Sequence, residues 1–154
     1  KEAAWTLSNV LASNVNSVNT VLNQTQLIPM VIQLLSNGAV ARNARKELTW
    51  CLANAVETGG PTERAGLIAV GATEALIEAY GQLHRRDERA FCAALEWVKP
   101  LLEVLKESDN ARFESNLAAL RERAPRDDAA AADRFAAVID AVKNGPAVAD
   151  QQGR

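Results

Sequence analysis

A nine-residue pattern occurs twice in this chain and limits the folds that the chain can adopt. "KEAAWTLSN" fills residues 1–9, and "KELTWCLAN" fills residues 46–54. Trp5 and Trp50, one in each copy, lie 45 residues apart. A repeat length of about 40–47 residues is typical of helical arrays. In such arrays each unit buries its apolar face only against its neighbours.

Apolar periodicity and turn residues predict short helices throughout the chain. Pro29 and Pro61 suit the first turns of two of these helices, and Gly38 suits the end of another. The helices are expected over residues 16–24, 27–38, 41–60, 61–71, 72–84 and 86–98. Three helices in each repeating unit predict an all-α fold, a right-handed α-solenoid of the armadillo or HEAT type. A four-helix bundle is the open alternative, although it would not explain the internal copy.

The repeat length divides the chain into units. Residues 1–13 are expected to be the last helix of a truncated repeat, because the chain opens in the body of a helix without a capping residue. We therefore expect a fragment that lacks upstream repeats. The other units are repeats at 14–59 and 60–106, a degenerate or capping repeat of two helices at 107–144, and a disordered tail at 145–154.

The helix over residues 41–60 has two stripes on different faces. The apolar stripe has the i, i+4, i+7 spacing of a core-facing surface; its members are Leu48, Leu52 and Ala55. The second stripe has i, i+3, i+7 spacing and occurs in both copies. Its members are Glu47, Trp50 and Asn54 in one copy and Glu2, Trp5 and Asn9 in the other. Stacked repeats would align the second stripes along one surface.

The chemistry of the second stripe favours a peptide-binding surface. Packed helices lie about 8–10 Å apart, so two indoles on neighbouring helices would form the walls of a slot. Indole faces attract ammonium and guanidinium groups on aliphatic stems. Asparagine offers a peptide backbone both a donor and an acceptor. Carboxylates beside the slot would neutralise the cation. The sequence therefore predicts binding of an extended Lys/Arg-rich segment, whose alternate side chains share one face.

The two nine-residue copies resemble the third helices of armadillo repeats in the importin α (karyopherin α) family of nuclear import adaptors. "QLIPMVIQLLSNG" resembles the second helix of such a repeat, and "ETGGPTERAGLIAVGATEALIEAY" resembles the turn into the next one. The resemblance covers residues 1–105. The doubled W-x-x-x-N on a KE-x-x-W helix is its most specific part, because catenin-like scaffolds share the general armadillo pattern.

The resemblance implies a non-enzymatic adaptor that binds nuclear localisation signals of cargo proteins and shuttles between cytoplasm and nucleus. The residues that match the family's minor site, on its later repeats, are Trp5, Asn9, Trp50 and Asn54, with Glu2 and Glu47 as acidic neighbours. Importin β and an export factor are the implied partners of the intact protein. The basic segment that would bind importin β is not among these residues.

Trp97 does not extend the Trp–Asn ladder in either possible alignment. When Trp97 is aligned with Trp50, Leu101 falls at the asparagine position. When Glu96 is aligned with Trp50, Pro100 falls there, and proline is expected to kink or end its helix. The late repeats of the family also lose the pair, so the fragment resembles the C-terminal end of the array.

Several other kinds of function have little support in the sequence. A formal charge of -2 argues against nucleic acid, and no apolar run is long enough to span a membrane. Cys51 and Cys92 are expected to be buried free thiols in a reducing compartment, and His84 a surface residue. We expect no metal site, no cofactor and no catalysis, because no ligand set or catalytic constellation is visible.

Two more ordinary interpretations remain open at this point. The tryptophans would be core residues and the asparagines helix caps if the doubled spacing had no functional meaning, and the two glutamates would be solvated surface charges. The alternative function is a general armadillo or HEAT scaffold that binds a folded protein partner without preference for basic peptides.

Overall fold

The computed structural model describes residues 1–83 and 87–145, and this part of the chain is built of α-helices. The helices are α1 (Glu2–Leu11), α2 (Val15–Gln24), α3 (Leu27–Leu35), α4 (Arg42–Thr58), α5 (Pro61–Ala69), α6 (Ala72–Gln82), α7 (Glu88–Ser108), α8 (Asn110–Glu122) and α9 (Ala129–Asn144). The described residues contain no strand. The predicted all-α class is therefore confirmed. The expected tail, apart from Gly145, and His84 lie outside the described residues.

Helices that are three apart in the chain pack against each other. α1, α4 and α7 lie side by side in one row, α2 packs against α5, and α3 packs against α6. After α7 the pattern changes, because α8 packs against both α6 and α7 while α9 packs against α7. The row α1–α4–α7 carries both copies of the nine-residue pattern on its first two helices.

The apolar stripe predicted for α4 lies in the core. Leu48 is 5% exposed, and Leu52 and Ala55 are fully buried. The same continuous core extends along the chain to α9. At that end the ring of Tyr80 stacks on Phe91 at a centroid distance of 4.3 Å and on Phe135 at 5.9 Å. These aromatic contacts join α6, α7 and α9.

The end of α3 differs from the prediction that Gly38 would terminate it. The helix ends at Leu35, and Gly38 does not have a left-handed backbone. The buried guanidinium of Arg45 takes over this role from α4. It donates hydrogen bonds to the carbonyl oxygens of Leu35 at 3.4 Å, Asn37 at 3.3 Å and Val40 at 3.3 Å. Carbonyls at a helix end need such partners when they are shielded from water.

The length of α7 also differs from the prediction. We expected a helix over residues 86–98 with Pro100 kinking or ending it, but α7 continues through Pro100 to Ser108. Proline removes one helical hydrogen bond and crowds the preceding turn. Beyond it, Leu101, Leu102 and Leu105 are almost completely buried. Their burial compensates for the local cost and keeps the chain helical.

Two glycines allow the close turns and packing between α5 and its neighbours. Gly71, between α5 and α6, has a φ of 95°, which residues with a side chain rarely adopt. A Cβ atom on Gly66 would lie 2.7 Å from Leu22 Cδ2, so a side chain there would push α5 away from α2. The helices within residues 1–83 and 87–145 include none that is long and apolar enough to cross a bilayer.

Candidate functional site

A groove of about 640 Å³ crosses α1, α4 and the start of α7, and it brings together most of the predicted site. Five of the six predicted residues line it, namely Trp5, Asn9, Glu47, Trp50 and Asn54. The sixth, Glu2, is exposed and is not among the lining residues. The aligned second stripes therefore form one shared surface, with Glu2 outside it.

The two indoles stand on neighbouring helices of the row. Trp5 of α1 is 53% exposed, whereas Trp50 of α4 is half-buried and packs partly against the core. The difference follows from their positions, because α4 has α1 on one side and α7 on the other. Trp5 is thus the wall with the larger accessible face, and Trp50 is the wall held by its surroundings.

The two asparagines have different environments. Asn9 is exposed, while Asn54 is half-buried and its Nδ2 donates a hydrogen bond to the carbonyl oxygen of Ser8 at 3.0 Å. This bond uses one of the two amide hydrogens of Asn54. The other hydrogen and the Oδ1 atom can pair with the backbone of a peptide. Asn54 therefore joins α4 to α1 and still offers both kinds of hydrogen-bonding group to the groove.

The carboxylate of Glu47 favours a cationic ligand in the groove. Glu47 is only 9% exposed, and a carboxylate held away from water next to two indoles attracts a positive group. Asp87 and Glu88 also line the groove, and Lys46 and Arg89 oppose them. Among the described lining residues there are thus three carboxylates and two cationic side chains, and Asp87 and Glu88 are themselves paired with Arg42 and Arg134.

The start of α7 supplies groove residues that the sequence did not predict. Asp87 is fixed by the guanidinium of Arg42, whose Nε lies 2.9 Å from Oδ2 of the aspartate. Glu88 lies 3.6 Å from Arg134 of α9. The mixed-charge run "RRDER" at residues 85–89 was the available signal. Nothing in its composition indicated that its end meets α4 beside Trp50, because that contact depends on how α7 packs.

Cys51 is buried next to the groove residue Trp50, and its thiol has low reactivity. Burial, with the Glu47 carboxylate adding to the effect, raises the pKa of the Cys51 thiol to about 12. Its Sγ donates a hydrogen bond to the carbonyl oxygen of Ala4 at 3.2 Å. Cys51 is buried as predicted, whereas Cys92 is only half-buried, and both are free. A thiol with such a pKa is a poor nucleophile at neutral pH.

The described residues 1–83 and 87–145 hold no group of three or more His, Cys, Asp or Glu side chains placed to bind a metal ion. No family model and no curated protein matches the chain. The side chains of the groove are therefore the basis for the function proposed below.

Two other grooves flank this site. One, of about 300 Å³, lies beyond Trp50 and is lined by both Trp50 and Trp97. Trp97, the second wall, has no asparagine partner: Leu101, at the expected asparagine position, is fully buried. The other, of about 760 Å³, lies between α1, α3 and α4 and is mostly apolar.

Proposed function

We propose that this chain is an importin-α-like adaptor fragment that binds Lys/Arg-rich nuclear localisation signals, chiefly through the counterpart of the family's minor site. The observation that carries the proposal is the single groove lined by Trp5, Trp50, Asn9, Asn54 and Glu47. Scattered core tryptophans and helix-capping asparagines would have no reason to share one open surface with a nearly buried carboxylate.

The proposed mechanism assigns one task to each kind of side chain. The indoles of Trp5 and Trp50 hold the aliphatic stem of a lysine or arginine between them and attract its charged end. Asn9 and Asn54 pair with the backbone of the extended peptide, which makes this part of the contact independent of peptide sequence. Glu47 complements the cation, while Glu2 contributes only long-range charge because it lies outside the groove.

We infer the finer fold from the same reasoning, as a right-handed armadillo solenoid with three helices per repeat. The packing of α1 on α4 and α4 on α7, with α2 on α5 and α3 on α6, supports a repeat of three helices. α8 and α9 then form the degenerate cap. On this proposal the intact protein moves between cytoplasm and nucleus and uses importin β and an export factor as partners.

Peptide titration tests the proposal most directly. A fluorescent peptide with basic clusters is titrated with the wild-type chain and with a Trp5→Ala/Asn9→Ala variant. Both residues are exposed, so their removal spares the core, and we expect affinity to fall about tenfold. Added salt should weaken wild-type binding, because charge contributes to it.

A matched control variant tests whether the loss of peptide affinity is specific to the groove or follows from any loss of exposed apolar surface. Met30 is 53% exposed, as Trp5 is, but it lies in the apolar groove between α1, α3 and α4. The Met30→Ala variant should bind the basic peptide as the wild type does. Equal affinities for the wild type and the Trp5→Ala/Asn9→Ala variant would show that the proposed site is wrong.

A scaffold that binds a folded partner is the second candidate, and the apolar groove favours it. Val10, Leu27, Met30 and Leu34 are each more than one-third exposed there, at 42%, 38%, 53% and 39%. Exposed apolar patches often mark protein-interaction surfaces. A peptide array of basic, acidic and apolar sequences distinguishes the two candidates, since a scaffold would show no preference for basic peptides.

A further inference from the structure

The groove beyond Trp50 has the components of a second cation site. Trp50 of α4 and Trp97 of α7 both line this groove of about 300 Å³, so two indoles again border one space. Both side chains are half-buried, which leaves each of them accessible surface. Trp50 is therefore a wall shared by two neighbouring grooves.

The charges in this second groove also favour a cation. Glu57 of α4 and Glu96 of α7 line it, and both are exposed. Among the described lining residues Arg89 is the cationic one, so these side chains together carry one excess negative charge. Indole surfaces with nearby carboxylates suit a long aliphatic stem that ends in an ammonium or guanidinium group.

We propose that the groove between Trp50 and Trp97 binds one further Lys or Arg side chain of a peptide held in the groove between Trp5 and Trp50. This inference rests on the proposed function. Neighbouring helices lie about 8–10 Å apart and an extended peptide advances about 3.3 Å per residue. Because alternate side chains of an extended peptide share one face, the additional basic residue lies two or four residues along the peptide from the one held between Trp5 and Trp50.

The charge of Arg89 determines which peptide residues are favoured between the two basic positions. Arg89 lines both grooves, at their junction next to Trp50. A cationic peptide residue directly over Arg89 meets a like charge, whereas a small or acidic residue does not. The preferred ligand is thus a peptide with two basic positions separated by uncharged or acidic residues.

The second groove binds a side chain without fixing the peptide backbone. The position that would carry an asparagine is Leu101, which is fully buried, or Pro100, whose side chain has no hydrogen-bonding group. The gain from this groove is therefore the cation–indole and charge contact alone, about fivefold in affinity.

Two peptides test the inference. The first has one basic pair, and the second adds an arginine two or four residues away, made in both orders along the chain. The second peptide is compared in whichever of its two sequence orders binds better. The wild type should bind it about fivefold more tightly than the first. A Glu57→Gln/Glu96→Gln variant, changed only at exposed sites, should bind the first peptide nearly normally and lose most of that advantage. Trp97→Leu, which keeps an apolar side chain against the core, should do the same.

The reactivity of Cys92 measures independently whether the groove between Trp50 and Trp97 is occupied, because Cys92 lines that groove. Alkylation of the half-buried Cys92 by iodoacetamide is followed by mass spectrometry. The second peptide at saturation should slow alkylation, and the first at saturation should leave the rate unchanged.

The possible failures are distinguishable. A wild type that binds neither peptide would overturn the proposed function and this inference together. A wild type that binds both peptides equally, or a double variant that weakens both by the same factor, would overturn the second site alone. Equal protection of Cys92 by both peptides would also overturn it.

Discussion

The side-chain amide nitrogen of Asn54 lies 3.0 Å from the carbonyl oxygen of Ser8 and donates a hydrogen bond across the contact between α4 and α1. The same carbonyl accepts the backbone N–H of Ala12 at 3.0 Å. The two asparagines of the repeated pattern are therefore not equivalent. Asn54 stabilises the packing of two helices, while the exposed Asn9 is placed for a ligand alone.

Replacing each asparagine by alanine should separate these roles. Asn54→Ala should lower the free energy of unfolding by about 1 kcal/mol, because the bond to Ser8 is lost. Asn9→Ala, at an exposed position, should change it by less than about 0.5 kcal/mol. Urea denaturation followed by circular dichroism measures both. Equal losses in the two variants would contradict the assigned role of the Asn54 bond.

Arg45 is expected to be among the most sensitive charged residues. The Arg45→Met variant should lose about 2–3 kcal/mol of stability, because the carbonyl oxygens of Leu35 and Val40 lose their donor and that of Asn37 keeps only the backbone N–H of Val40. Arg42→Met is the matched control, since Arg42 is exposed and forms only an ion pair with Asp87. Exposed ion pairs contribute little. Urea midpoints that shift equally in the two variants would show that Arg45 is not needed to close α3.

Pro100 should be a site where alanine stabilises the protein. Pro100→Ala restores a donor inside α7 and removes the crowding of the preceding turn, which together favour the helix by up to about 3 kcal/mol. The greater freedom of the unfolded chain offsets part of this, so a net gain of about 1–2 kcal/mol is expected. A lower melting temperature for Pro100→Ala would show instead that α8 and α9 need the local geometry that proline imposes.

The contact between α6 and α8 should depend on pH through Glu74. Partial burial by itself raises the pKa of Glu74, but the hydrogen bonds and charge of Arg112, at 2.7 Å, outweigh it and lower the pKa from its usual value. The ion pair therefore stabilises the fold fully above the usual glutamate pKa of about 4.3. This stabilisation is lost as the pH falls through the lowered value in the folded state.

A Glu74→Gln variant isolates that contribution. At about pH 7 its urea midpoint should lie below that of the wild type, because the charge–charge attraction to Arg112 is gone. At about pH 3 the two midpoints should approach each other, since the wild-type carboxyl is then increasingly protonated. A difference that stays constant with pH would mean that the glutamine loses packing rather than charge.

Much of the helical framework could be predicted from local pattern. The spacing of Leu48, Leu52 and Ala55 identified the buried face of α4, because residues at i, i+4 and i+7 lie on one side of a helix. The helix start marked by Pro61 was also predicted correctly. These features depend on neighbours within a few residues, which a sequence displays directly.

The features that were missed depend on contacts between distant residues. Arg45 reads as an ordinary helix residue until α3 packs beside it, and α7 continues past Pro100 because leucines beyond it are buried. Glu2 matched Glu47 in spacing but not in position, because α4 has row neighbours on both sides while α1 stands at the end of the row. Trp97 has no asparagine partner in the sequence, yet its indole shares a groove with Trp50.

The position of Trp50 between two grooves has a thermodynamic consequence. The core already holds this half-buried indole, so a stem that packs beside it in either groove costs the ring little rotational freedom. Because the ring has little freedom left to lose, the first stem does not make the second one easier to bind. Two basic residues on one peptide are therefore expected to contribute independently to the binding free energy, although both contact Trp50.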